Sequence, residues 1–205
     1  GAAFFVDLVD LGQSKTSREK ETAYARLASF KRYRKAHKLE LAQAAYHATW
    51  YLPAIRELAA RPDFRDDPEW IARMMRPPIP VDEARRAIVT LLDLGLLVRG
   101  ARGKLSQGTP VVTTGPETRG IHIASYHRTM LQRAAASIDE IPAPERDISS
   151  LTLCVRKDSL PKLKERIQRF RKELLAFSED EADPQLVVQL GFQLFPLTRG
   201  DGGPK

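Results

Sequence analysis

His122 and His127 stand five residues apart, and Cys154 is the single thiol of the chain. These are the side chains with the most obvious capacity for metal or nucleophilic chemistry. On a helix of 3.6 residues per turn the two histidines lie roughly 140° apart around the axis, so they do not grip one metal ion from one helix face. His37 and His47 read in the same way as scattered surface or core residues. Cys154 falls within the apolar run Ser150–Val155, where a thiol behaves as a small hydrophobe rather than as a nucleophile. The acidic run Ser178–Asp183 has no partner acid or metal ligand nearby and reads as a helix-terminal turn. A phosphate-cradling glycine loop, a His-Glu-x-x-His helix and paired cysteines are all missing from the sequence. The reading is therefore not an enzyme, with no catalytic centre, metal or cofactor indicated.

The cations carry a more specific signal. Between Ser14 and Lys38 there are nine Lys or Arg against two Glu, which equals the whole formal charge of +7. The rest of the chain is balanced. Phe30–Lys38 interleaves aromatic and basic residues, and Lys31, Arg32, Arg34 and Lys35 are candidate phosphate contacts. The alternative is a solvated helix end whose cations favour the negative end of the helix dipole. Arg85, Arg86, Arg99, Arg102 and Lys104 form a second candidate set for nucleic acid.

The elements that would position this second set are legible from Asp66 to Gln107. Asp66 and Asp67 offer cap oxygens to a helix with Pro68 in its first turn, and Trp70, Ile71 and Met74 begin its buried stripe. Pro77, Pro78 and Pro80 end that helix. Val81, Ala84, Ile88, Leu91 and Leu92 then give a second helix one apolar face, closed at Gly95. Leu96–Arg99, Gly100–Gly103 and Lys104–Gln107 read as strand, turn and strand. The pattern predicts a winged helix-turn-helix, against a helical hairpin plus β-hairpin of some other α+β domain. On the second helix the exposed line Asp82, Arg86, Val89 and Asp93, with Glu83 and Arg85 beside it, holds more acid than base. That is unlike most DNA-reading helices, because phosphate neutralisation supplies much of their affinity. The hairpin, with Arg99, Arg102 and Lys104, is the better phosphate contact.

On either side the periodicities continue. Thr16 and Glu19 fit a capping box, with Ala23, Leu27 and Phe30 following at helical spacing. Residues 40–61 read as a long helix that Pro53 bends or divides, with Tyr46, Trp50 and Tyr51 as core or interface aromatics. Val111–Thr114 is a candidate strand and Pro116–Gly120 a loop. Ile121–Ile138 is a helix with Ile123, Tyr126, Met130, Leu131 and Ala134 inward. After a proline-rich linker at Ile141–Asp147, Ser150–Val155 and Gln185–Phe195 read as strands. Between them a helix capped by Asp158 carries Leu160, Leu163, Ile167, Phe170, Leu174 and Phe177 as one stripe. Such a two-stranded unit is marginal alone, so it is expected to pair with a second copy, with Phe192 and Phe195 as dimer contacts, or to pack on the preceding domain.

The expected fold class is thus α+β, mainly helical, a winged helix-turn-helix followed by a small β-α-β unit. The expected division is a helical lead-in over residues 1–38, a winged-helix domain with its C-terminal helix over 39–140, the β-α-β unit over 141–198 and a flexible tail over 199–205. A 42% hydrophobic share is enough for a core. No apolar run approaches a membrane span and no secretory signal is visible, so no membrane partner is expected. A single cysteine fits a reducing, cytoplasmic setting. The lack of an initiator Met suggests a fragment.

Four stretches also carry a resemblance: Asp67–Ala72, Tyr126–Met130, Arg146–Leu153 and Phe192–Thr198. They resemble the C-terminal domain of unknown function in a bacterial family of predicted transcriptional regulators, over nearly the whole chain. In that family the region follows a phage-repressor-type helix-turn-helix, and Phe4–Gln13 is similar to the last helix of that domain. The resemblance implies that DNA is bound mainly through an N-terminal domain absent here, and it assigns no functional residues. Three functions follow as expectations. The first is a regulatory, homodimerising region of a transcriptional regulator. The second is direct, largely non-specific nucleic-acid binding through residues 15–38 and the wing. The third is a sensor of an unknown small-molecule effector held between the winged domain and the β-α-β unit.

Overall fold

The computed structural model describes residues 49–101, 103–108 and 121–199, the side chains of Ile121 and His122 aside, with thirteen residues scattered through 6–47. Lys31, Arg32, Arg34, Lys35, Arg102, the candidate strand Val111–Thr114 and residues 200–205 lie outside that set. Among the described residues the elements are α1 (Tyr51–Leu58), α2 (Pro68–Met74), α3 (Val81–Asp93), β1 (Leu97–Arg99), β2 (Leu105–Gln107), α4 (Ile121–Glu140) and α5 (Leu160–Glu179). The chain is α+β and mainly helical. No described helix is long and apolar enough to cross a membrane.

Each boundary has a local cause. Thr16 and Glu19 form the reciprocal capping bonds, Glu19 N donating to Thr16 Oγ1 at 3.2 Å and Thr16 N to Glu19 Oε2 at 3.0 Å. Pro53 sits in the first turn of α1, where a missing N–H costs nothing. At α2 Asp67 is the N-cap and accepts from Glu69 N at 3.0 Å, with Pro68 next. Asp66 does not share that task; it is turned toward Arg99. α3 ends on Gly95, whose φ of +70° suits glycine. Gly95 N then donates to Leu92 O and Leu96 N to Leu91 O, closing the helix in a Schellman turn. Gly103, at φ +74°, supplies the second left-handed position in the turn between β1 and β2.

β1 and β2 are antiparallel, with Leu97 opposite Gln107 and Arg99 opposite Leu105. Leu97 and Leu105 point inward while Val98 and Ser106 face out. One core holds α1, α2, α3 and the hairpin together: Leu52, Ile55 and Leu58; Trp70 and Ile71; Ala84, Ala87, Ile88 and Leu91; and Leu96, Leu97 and Leu105. Phe64 meets Trp70 edge-on at 5.8 Å.

Four expectations are corrected. Met74 is exposed and Met75 buried in its place, because α2 unwinds ahead of Pro77 and Met75, with ψ 147°, leaves the helical phase. Val81 is likewise exposed, and Ala87 takes its share of the α3 face. On α4, Ile123 and Tyr126 are buried, whereas Leu131 and Ala134 are exposed, since the second half of that helix extends past the core.

The fourth correction is the largest. Ser150–Val155 and Gln185–Phe195 do not pair into a sheet, and the only sheet among the described residues is the β1-β2 hairpin. Cys154 is exposed accordingly, and α5 buries none of its residues. Asp158 lies in a 3-10 turn, Lys157–Ser159, and Ser159 takes the N-cap position. A strand is satisfied by a neighbour's backbone and not by its own side-chain pattern, and no described residue of the chain pairs with either segment.

Candidate functional site

The hairpin is fixed to α1 by a buried arginine that the hydrophobic pattern did not disclose. Arg56 is 3% exposed and paired with Glu57, and its Nη2 donates to Gly108 O at 3.0 Å. Glu57 Oε2 accepts from Gln107 Nε2 at 2.8 Å, and the same amide donates to Arg56 O at 3.2 Å. A charge taken out of water needs partners of this kind. Gly108 belongs to the clamp too, since a Cβ there would lie 2.0 Å from Gly95 O. The hairpin therefore has a fixed bearing on α1 and α3. The only signal for this in the sequence is the run Gln107-Gly108 after the second strand, which is too short to be specific.

At the outer side of this frame, Arg99 Nη1 donates to Asp66 Oδ2 at 2.6 Å and to Gly103 O at 3.0 Å. The hairpin cation is thus bridged to the start of α2. Lys104 is exposed. On α3, Arg85 pairs with Asp82 at 2.6 Å while Arg86, Val89 and Asp93 face outward. Two of the four described candidate cations are accordingly tied to carboxylates, and Arg86 and Lys104 are the exposed cations to which no salt bridge is assigned. An exposed ion pair is worth little on its own, so a phosphate can displace Asp82 or Asp66 at small cost. The surface is suited to weak, backbone-directed contact with a polyanion more than to base reading.

A cleft of about 260 Å³ opens on another side, between the start of α1, Glu83 of α3 and the first half of α4. Trp50, Tyr51 and Tyr126 are its aromatic walls, and His47 and Thr129 add polar groups. His47 is buried and meets Tyr126 edge-on at 5.1 Å. Burial raises the Tyr126 phenol above its usual pKa; burial and then nearby Glu83 raise that of Tyr51. Both stay neutral donors around pH 7. Arg133 stacks over Trp50 at 3.5 Å and donates to Arg76 O. Arg76 in turn reaches Glu145 at 2.9 Å, which ties α4 and the linker to the end of α2. The cleft lies among His47–Tyr51, α3 and α4, whereas the effector expectation placed its site at the boundary of the winged domain and the β-α-β unit. Among the described residues no group of His, Cys, Asp and Glu is arranged to hold a metal ion.

The match to a family comes from residues 30–197, which fit the profile described as Domain of unknown function (DUF4423). The chain belongs to that family. Searches of curated proteins and of solved structures find no match. The family's description names no activity, so the geometry carries the functional reading.

Proposed function

We propose that this DUF4423 chain is the regulatory, homodimerising region of a cytoplasmic bacterial transcriptional regulator, with residues 68–107 forming a winged helix-turn-helix. What carries the reading is the order α1, α2, α3, β1, β2 around one core, with the Pro77–Pro80 break between α2 and α3, Gly95 closing α3 before β1, and Gly103 in the hairpin turn. In a winged helix the second helix of the pair and the wing are the elements offered to DNA. Here that helix offers paired or opposed charges, and the wing offers Arg99 and Lys104. The DNA contact of this region is accordingly sequence-independent, and its helix face is available to protein.

Fluorescence anisotropy of a labelled duplex against the 205-residue chain at increasing salt tests this. Expected is weak binding that falls steeply with salt and barely distinguishes sequences. Replacing Lys31, Arg32, Arg34 and Lys35 with Gln, or Arg99, Arg102 and Lys104 with Gln, apportions it, each lost phosphate contact lowering the salt slope by about one. Strong discrimination of one operator in physiological salt would show that α3 reads bases, and would overturn the assignment.

The cleft favours a second reading, an effector-sensing role. Aromatic walls with a half-buried Glu83 suit a small cationic or polar ligand, and both α3 and α4 line the cleft, so occupancy would couple the two helices.

A further inference from the structure

Residues 148–197 expose an unusual concentration of apolar surface. Of the twenty-three large hydrophobic side chains exposed among the described residues, fifteen lie between Ile148 and Leu197. Their spacing is ordered. Leu151, Leu153 and Val155 alternate in the first extended segment, and Leu186, Val188, Leu190, Phe192 and Leu194 alternate in the second. In extended backbone alternate residues share a face. In the second segment the opposite face is already engaged: Val187 packs on the helical core and Gln189 Oε1 accepts from Tyr126 at 3.5 Å. Phe170 of α5 meets Phe192 edge-on at 6.0 Å. The segment is thus anchored on one side, while on the other Phe192 touches α5 and Leu186, Val188 and Leu190 stay more than half exposed.

Its backbone is open as well. No backbone hydrogen bond joins either segment to another described residue. Soluble proteins blunt such edges with charge or bulges, yet Pro184–Thr198 holds no ionisable side chain and Ser149–Val155 holds only Cys154. The area is also large. The fifteen side chains together expose on the order of 1,000 Å², enough to supply the roughly 800 Å² that each partner gives to a standard interface.

We propose that the segments 149–155 and 185–195 pair with the same segments of a second copy, forming an intermolecular β-sheet whose apolar face is closed by the α5 helices. This rests on the homodimer reading above and specifies its surface. A second copy is the occupant that fits, because it brings two further segments with the same uncharged, alternating pattern and the same partly exposed α5 stripe. An uncharged edge provides no charge complementarity by which to select a different partner.

The 205-residue chain is tested by sedimentation equilibrium together with hydrogen exchange at several concentrations. Expected is a dimer at tens of micromolar in which the amides of 150–155 and 185–195 are protected, and lose protection on dilution in step with the dimer. Leu190→Asp and Leu153→Asp should each weaken association by about 100-fold while the far-ultraviolet dichroism of the helices persists. If a variant unfolds, the wild-type exchange pattern still decides. A dimer whose segment amides stay unprotected overturns the sheet but leaves the homodimer reading standing. A monomer overturns both, whether its segments exchange freely or are protected at every dilution. DNA affinity is not read in this experiment, so the transcriptional assignment fails or stands separately.

Discussion

Residues 51–108 and residues 148–199 carry similar apolar periodicities, and the structure treats them in opposite ways. In the first region three helices and a hairpin place Ile55, Ile71, Leu91, Leu97 and Leu105 almost wholly out of water. In the second, a 20-residue helix with an apolar stripe fully buries none of its residues, Leu163, Ile167 and Leu174 being half-buried, and Leu151 remains 85% exposed. The first region closes within one chain because its elements are short and joined by tight turns at Pro77–Pro80, Gly95 and Gly103, so that each face meets its partner at once. The second separates two extended segments by a 20-residue helix, and neither enters a sheet among the described residues. An alternating pattern states that a face needs cover, not what covers it.

The sharpest way to break this comparison is a matched pair of truncations. Leu91→Ala removes a fully buried side chain and is expected to cost about 2–5 kcal/mol in denaturant unfolding. Leu186→Ala, at 74% exposure, should stay within about 0.5 kcal/mol when the chain is dilute enough to be monomeric. Equal effects in dilute solution would mean that the second region is closed within one copy. A smaller effect comes from the clamp. Gly108→Ala drives a methyl onto Gly95 O and should cost about 1–3 kcal/mol, lowering the midpoint without changing the slope of unfolding. An unchanged midpoint would show that the hairpin is not held against Gly95.

The smallest effect expected is in alkali. Burial raises the phenol pKa of Tyr46, Tyr51 and Tyr126, so the native state keeps protons that the unfolded chain gives up above about pH 10. Stability from these groups is whole below that pH and is lost as pH rises through the raised native values. Absorbance at 295 nm should show tyrosines that ionise late, and together with unfolding. Titration of every tyrosine near pH 10 in a chain that stays folded would remove the buried-aromatic account of the cleft.

Much of the first region was legible because its determinants are local. Asp67 and Pro68, the proline break, Gly95 and Gly103 each act within a few residues through backbone geometry, and the α3 face follows from helical spacing. Met74 was misplaced because a pattern extrapolated to a helix end ignores the unwinding that Pro77 imposes. The candidate cations of the hairpin and α3 were found by type alone; that Arg99 is bound to Asp66 depends on how β1 and the start of α2 are set beside one another, whereas Arg85 and Asp82 pair within α3, three residues apart.

By itself, then, the sequence determined where α2 and α3 start, where α3 stops and the hairpin turns, which faces are apolar, and that the net charge is concentrated in residues 14–38, because those properties depend on neighbours along the chain. Tertiary structure alone decided that Arg56 is buried to hold Gly108, that Gly108 has no room for a side chain, that aromatic residues and Glu83 converge on one cleft, and that the alternating patterns at 150–155 and 185–195 enter no ladder among the described residues. Each of these depends on groups tens of residues apart meeting in space. Periodicity along the chain carries no information about which distant backbone will be there.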